Sequence, residues 1–358
     1  MIEEATGNLL EADVDALVNT VNTVGVMGKG IALQFKRAFP ENFRQYEKAC
    51  KNKQVRLGEM FVHEVTSITG PRFIINFPTK GHWKARSRIE DIDSGLQDLR
   101  RVIQKYGITS IAVPPLGCGN GGLDWAQVYP MIQNALGDPS DVRVLVYPPA
   151  GALDPKDMPV RTKRPAVTRA KAALLLAFER YRDRSVQSGL SDTGAISLVE
   201  AQKVAYFLQL AGGKATWTFA PSHFGPYAAT IDQFISSVEG HFIHGYGDGS
   251  SGSKATLTLE PDALDEARHV LGDDEAFQRT LERFEAIVDG FEFPYGIELL
   301  STVHYVVAHA PAAPSLDELV TTIGQWSARK GRLFKPRQAQ TAYRHLQDVR
   351  LADTTVTD

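Results

Sequence analysis

The chain has 358 residues, a formal net charge of -3 and a pI near 6.3, which predicts two hydrophobic cores and excludes a generally basic nucleic-acid binder while leaving room for a local basic patch. Its two cysteines, Cys50 and Cys118, lie far apart in sequence and make neither a disulfide framework nor a thiolate metal site. No secretory leader is read at the start and no apolar run approaches the ~20 residues of a membrane helix, so a cytoplasmic protein with no membrane partner is expected.

Strand and helix signals alternate over the first 150 residues. The apolar, β-branched run 14–20 predicts a buried strand, and 31–39 has helical spacing up to Pro40. A second helix is expected over 41–51, followed by strands over 60–65 and 73–77. The segment 91–106 places Ile92, Leu96, Leu99, Val102 and Ile103 on one helical face. A strand over 110–113, a helix over 125–136 and a strand over 143–147 complete the series. Such alternation predicts an α/β fold, a mainly parallel sheet covered by helices on both faces.

Residues 151–165 read GALDPKDMPVRTKRP, with three prolines, mixed charge and no apolar period, the composition of a linker. The expected organisation is therefore a first domain over 1–152, a linker over 153–166 and a mostly α-helical second domain over 167–358. Helices are expected there over 166–187, 197–210, 227–237, 261–271, 276–289, 297–308, 316–330 and 337–346. His241 and His244 are three apart, but no acidic or cysteine partner sits at ligand spacing, so no metal site is expected.

Two bare loops carry the chemistry. The first, in VNTVNTVGVMGKGIALQF (residues 18–35), sets Gly25, Gly28, Lys29 and Gly30 between a strand and a helix N-terminus. Glycines let the backbone approach a ligand closely, and the helix start offers free N–H groups and partial positive charge, a site suited to phosphate. Lys29 is followed by Gly30 rather than Ser or Thr, so no P-loop is present, and the spacing is not that of a dinucleotide fingerprint. The second loop, PPLGCGNGG (114–122), has the same position after a strand and before a helix. Loops at the carboxyl ends of neighbouring strands face a common crevice, where the pair would hold a diphosphate from both sides.

GNLLEADVDALVNTVN, GVMGKGIA, INFPTKGHW and VPPLGCGNGGLDW, in that order over about the first 150 residues, resemble the macrodomain family, and more narrowly the macrodomains of the DarG antitoxins. The resemblance implies a three-layer α/β/α module that binds ADP-ribose and needs no cofactor. It places Asn22 at the distal ribose and Gly28, Lys29, Gly30 and Ile31 in the first diphosphate loop. Pro115, Leu116, Gly117, Cys118, Gly119, Asn120 and Gly121 fall in the second. Leu9, Asn19 and Thr79 join the ADP-ribose set. Asn8 stands where the family often has an aspartate that accepts from the adenine amine, and Tyr147 and Pro148 end the strand against which the family packs adenine.

The segment TKGHWKARSR (79–88) carries four Lys or Arg residues, His82 and Trp83, with no acid. Read by itself it is a cationic, partly aromatic loop suited to phosphates and an unstacked base, or else a solvated surface turn. The resemblance, which extends to the animal terminal ADP-ribose glycohydrolase, makes Lys80 catalytic. Its amine would attack the anomeric carbon or the opened sugar aldehyde, or would act electrostatically on the ribose and leaving base; crowding by Lys29, Lys84 and Arg86 would lower its pKa. The animal relative's aspartate falls on Gly121, leaving Asp124 (equally an N-cap) and His82 as rival acid/base partners. The implied reaction frees ADP-ribose from thymidine in single-stranded DNA, although the loop's charge alone does not separate DNA from an acidic protein acceptor. A non-catalytic reader of ADP-ribosylated targets is the alternative.

Residues 167–358 resemble the C-terminal part of the mycobacterial DarG type, which restrains the DarT toxin by contact. EAQKVAYFLQLAG (200–212) and FAPSHFGPYAATIDQFI (219–235) also resemble the SocA-type antitoxin module. The implied partners are a DarT toxin, ADP-ribosylated single-stranded DNA as substrate and ADP-ribose as product. Phe224 to Tyr227 are expected to form a rigid turn that starts a helix.

Overall fold

In the computed structural model, which describes residues 1–66, 70–137, 142–151, 153–191 and 194–351, the strands of the first half alternate their side chains between two helical layers. Ala16, Val18, Phe73, Ile75, Phe77, Ile111, Val113, Val144 and Val146 point to one face, while Leu17, Ile74, Ala112 and Leu145 point to the other. A strand apolar at every position, buried on both sides, is what a covered parallel sheet requires. The elements are β1 (Ile2–Glu4), β2 (Ala16–Asn22), α1 (Ile31–Ala38), α2 (Pro40–Lys51), β3 (Phe61–Glu64), β4 (Phe73–Lys80), α3 (Ile89–Tyr106), β5 (Ser110–Val113), α4 (Trp125–Leu136) and β6 (Arg143–Val146). The sheet order is β1-β6-β5-β2-β4-β3; β3 is antiparallel to β4 and every other pair is parallel. Helices α3 and α4 cover one face and α1 the other.

The chain divides into two compact units. The first is Met1–Lys163 together with Gly247–Ser250; the second begins at Arg164. The expected linker therefore does not hang free over its whole length. Asp154 caps a 3-10 turn, Pro155–Asp157, the Asp157 carbonyl accepts from Asn8 Nδ2 at 2.8 Å, and Arg161 N–H donates to the Arg37 carbonyl at 2.9 Å. Residue 152, where the first domain was expected to end, and 352–358 lie outside the described residues.

The second unit contains α5 (Arg169–Gln187), β7 (Ile196–Ser197), α6 (Leu198–Leu210), β8 (Ala220–Ser222), β9 (Gly225–Tyr227), α7 (Ala229–Val238), β10 (Ile243–His244), β11 (Thr256–Leu259), α8 (Pro261–Leu271), α9 (Glu275–Val288), α10 (Pro294–Ala308), α11 (Leu316–Trp326), α12 (Ala328–Leu333) and α13 (Pro336–Asp348). Helices α6 and α10 are buried on nearly every face, as central helices of a bundle must be. The helix expected over 316–330 breaks at Ser327, which is extended and whose Oγ accepts from Lys330 N–H to start α12. The turn at Phe224–Tyr227 is one arm of a hairpin: β9 pairs antiparallel with β8, and the next helix starts only at Ala229. Among the described residues no helix is long and apolar enough to cross a membrane, and no group of His, Cys, Asp and Glu is arranged to hold a metal.

Candidate functional site

The carboxyl ends of β2, β4 and β5 meet where the sheet order turns back on the sequence order, the position at which open α/β sheets bind ligands. β2 and β4 run in register from Ala16↔Phe73 to Val21↔Pro78, and then Asn22 pairs with Lys80. Thr79 is thus an extra residue, with Thr79 Oγ1 donating to the Val21 carbonyl at 3.3 Å. A bulge of this kind re-aims the following side chain, and that side chain is Lys80.

Lys80 Nζ donates to the carbonyl of Asn120 at 3.0 Å, tying the end of β4 to the second glycine loop. Burial lowers the Lys80 pKa; no neighbouring cation is among its causes. The effect anticipated from crowding by Lys29, Lys84 and Arg86 therefore arises from desolvation instead. The first loop arrives at the same place. Gly30 has φ +61, and a Cβ there would lie 3.2 Å from Asn120 Nδ2, so the two glycine loops are in contact through this pair. The second loop closes on the segment after Lys80: Ser87 N–H donates to the Gly121 carbonyl at 3.0 Å, and a Cβ on Gly121 would come within 2.3 Å of Ser87 Oγ and 2.4 Å of the Gly117 carbonyl.

Asn22 is buried and its amide is committed to the first loop. Oδ1 accepts from Val24 N–H (3.0 Å) and Val26 N–H (3.2 Å), Nδ2 donates to the Val26 carbonyl at 2.6 Å, and Tyr46 Oη donates to Oδ1 at 3.3 Å and to the Asn22 carbonyl. Its direct work is to shape the loop that carries Gly28 and Lys29, both exposed. Thr23 Oγ1 then donates to the Gly81 carbonyl at 2.7 Å, joining this loop to the residue after Lys80.

Asn19 is also buried. It is 0% exposed, and its Nδ2 donates to Asn76 Oδ1 at 3.0 Å, while Asn76 Nδ2 donates to Asn42 Oδ1 at 2.7 Å. This is a buried amide network linking β2, β4 and α2, in which Asn19 Oδ1 has no hydrogen-bond partner among the described residues. Asn8 caps the turn Leu9–Glu11 through Oδ1 and donates to Asp157, leaving one Oδ1 lone pair for an adenine amine. Leu9, Leu116 and Thr79 are buried, and Ile31, Pro115, Cys118, Tyr147 and Pro148 are half-buried. Burial raises the Cys118 thiol to about 11, a neutral group at neutral pH. Asp124 is the N-cap of α4, accepting from Ala126 N–H at 3.0 Å, and His82 is exposed.

Sequence reading missed Asp248, some 210 residues from the loop it supports. Its carbonyl accepts from Gly30 N–H at 2.9 Å, its Oδ2 accepts from Gln34 Nε2 at 2.7 Å, and the adjoining Gly247 carbonyl accepts from Arg37. Gly30, Gln34 and Arg37 lie on one side of α1 at helical spacing, so the segment Gly247–Ser250 braces α1 of its own unit along that side. The only signal in the sequence is the glycine-rich run GYGDGSSG (245–252), which does not say what it touches.

Residues 18–132 match the Macro domain family. Over 352 residues, 97% of this chain and 91% of the relative, the chain is 46% identical to a Thermus aquaticus protein named DNA ADP-ribosyl glycohydrolase. A Thermosipho africanus protein named DNA ADP-ribosyl transferase-DNA ADP-ribosyl glycohydrolase fusion protein is 36% identical over 141 residues, 35% of this chain and 36% of the fusion. Among solved structures, the macrodomain of Mycobacterium tuberculosis DarG is 57% identical, with a TM-score of 0.42 over 42% of this chain and 99% of that one.

Proposed function

The chain belongs to the DarG family of DNA ADP-ribosyl glycohydrolases, and from that premise we propose that it cleaves the glycosidic bond between ADP-ribose and thymidine in single-stranded DNA and restrains the transferase that made the bond. It is an enzyme, an ADP-ribosyl glycohydrolase; the nucleoside, the role of Lys80 and the work of the second unit are what the proposal adds. The observation that carries it is the bond from Lys80 Nζ to the Asn120 carbonyl, which holds an amine of lowered pKa against the paired glycine loops.

In this reading the loops grip the diphosphate with backbone N–H groups, and Asn22 sets the loop around the distal ribose. The Lys80 amine, in its neutral form, gives its lone pair to the anomeric carbon of that ribose. The bond from that carbon to the thymine nitrogen breaks with its electron pair, and the base leaves as a proton joins it. The glycosylamine so formed opens to an imine as the bond from that carbon to the ring oxygen breaks and the nitrogen's proton passes to that oxygen; water then adds to the imine carbon and expels the lysine nitrogen, freeing ADP-ribose and regenerating the amine. Asp124 is spent on capping α4, which favours water or His82 as the source of the proton. Release of free ADP-ribose from an oligonucleotide ADP-ribosylated on thymidine, measured chromatographically, tests the reaction. Trapping a lysyl adduct with borohydride during turnover tests the covalent step, and turnover that continues with no trapped adduct assigns Lys80 the electrostatic role.

The second unit binds the DarT transferase. Support comes from the near-complete span of the relative matched and from the fusion of the two activities in one chain in Thermosipho africanus. Such work places the protein in the cytoplasm with the chromosome. A full-length Lys80→Ala variant tests it without hydrolysis: relief of toxicity on co-expression and a co-purifying complex are expected, and absence of both would refute direct neutralisation.

A further inference from the structure

Trp83 is 48% exposed, the one tryptophan of four that stands out in solvent. Its surroundings on the turn are set by contacts with its neighbours. His82 lies tilted beside it, ring centroids 5.4 Å apart at 30°. Lys84 Nζ sits 4.8 Å from the indole centroid, and Lys84 N–H donates to His82 Nδ1 at 3.2 Å. The turn is closed by Ala85 N–H donating to the His82 carbonyl at 2.9 Å. Both ends are pinned, at Gly81 by Thr23 and at Ser87 by Gly121. Val24 and Val26, on the loop tied to Gly81, are likewise exposed apolar residues, at 46% and 40%. Lys84, Arg86 and Arg88 are exposed, and no acid lies between Thr79 and Arg88.

A solvent-facing aromatic set among cations on a pinned turn is the composition of a single-strand nucleic-acid surface, where bases stack on rings and cations follow the phosphates. Trp83 is three residues from Lys80, at most about 11 Å of extended chain, so its ring reaches the neighbour of a nucleotide held at Lys80. We propose that Trp83, flanked by His82, is the stacking platform for the unmodified base next to the ADP-ribosylated nucleotide, with Lys84 and Arg86 taking the strand's phosphates. The exposed indole, not the charge, decides against an acidic peptide as the occupant, because such a peptide would use the cations and leave the ring idle. This inference rests on single-stranded DNA as the substrate, and it makes strand recognition a property of this turn, separate from ADP-ribose binding.

The test compares full-length wild type, Trp83→Ala and Trp83→Phe on two substrates, an ADP-ribosylated oligonucleotide and the ADP-ribosylated thymidine mononucleoside. Trp83→Ala is expected to raise KM about tenfold on the oligonucleotide, with kcat within about twofold, and to leave the mononucleoside unchanged; Trp83→Phe restores most of the loss. Lys84→Ala and Arg86→Ala each flatten the dependence of log kcat/KM on log salt by about 0.7. An equal KM change on both substrates, or none on the oligonucleotide, overturns the platform. Binding of the unmodified oligonucleotide by wild type and Trp83→Ala reads the platform without turnover. If wild type releases no ADP-ribose but Trp83→Ala still binds that strand about tenfold more weakly, the substrate reading falls and the platform stands; equal binding removes the platform.

Discussion

Lys80 Nζ and the Asn120 carbonyl are 3.0 Å apart, so the amine at the end of β4 is held by the backbone of the loop that also meets Gly30. Lys80 and the two glycine loops thus form one assembly.

Removing the amine separates chemistry from binding. Lys80→Ala is expected to lower kcat by at least ~1,000-fold, the scale seen when a residue that acts directly on the reacting atoms is lost, while the Kd for ADP-ribose measured by calorimetry stays within a few-fold. Because burial lowers the Lys80 pKa and the neutral amine is the reactive form, kcat should rise with pH through that lowered value and then level. A kcat independent of pH between about 6 and 10 would be at odds with a nucleophilic amine.

The close approach of Gly121 to Ser87 and Gly117 leaves no room for a methyl group. Gly121→Ala must displace the loop's backbone, at a cost of about 1–3 kcal/mol. Thermal denaturation should register that loss, for which Gly119→Ala, whose added Cβ meets nothing within 4 Å, is the matched control, and ADP-ribose binding by Gly121→Ala should fall with it.

Asp248 gives the first glycine loop a brace from a distant stretch of sequence. Asp248→Ala removes the carboxylate that accepts from Gln34 and frees the end of α1 to shift. KM should rise about threefold to tenfold with kcat nearly constant, corresponding to roughly 0.7–1.4 kcal/mol, about one hydrogen bond. Asp248→Asn keeps an acceptor oxygen and should behave as wild type.

The second unit carries a lysine whose titration is visible in stability. Lys203 is 1% exposed, donates to the Pro226 carbonyl at 2.6 Å, and is pushed down to about 7 by burial, with buried Lys330 adding to the shift and Glu298 opposing it. An unfolded lysine keeps its proton up to about pH 10.4, so between pH 7 and 10 the unfolded chain binds more protons and stability rises with pH. Chemical denaturation should show a rise from pH 7 to about 9.5 in wild type that is smaller in Lys203→Met. Equal slopes would mean the lysine is charged in the folded protein.

Much of this was legible in the sequence wherever one element supplies the signal alone. The segments 110–113 and 125–136 predict strand and helix to the residue, and the glycine-rich runs mark the two loops at the strand ends that the fold brings together. Lys80, by contrast, needed the family resemblance, since a lysine in a basic turn has no distinguishing local pattern; its lowered pKa depends on burial that only the fold creates. The amide network of Asn19 was not legible, because its partner Asn76, itself bonded to Asn42, arrives from other elements. Strands β7 to β11, two to four residues long, are too short to show a period of two. Asp248 was illegible because a contact across more than 200 residues leaves no trace in spacing.

The most direct measurement of the central claim is ADP-ribose release from a single-stranded oligonucleotide modified on thymidine, run side by side with wild type and Lys80→Ala. The account predicts quantitative release by wild type over repeated turnovers and none above background from the variant, although the variant still binds ADP-ribose. Release by Lys80→Ala at the wild-type rate would contradict it, and so would a wild type that binds the modified strand and frees nothing.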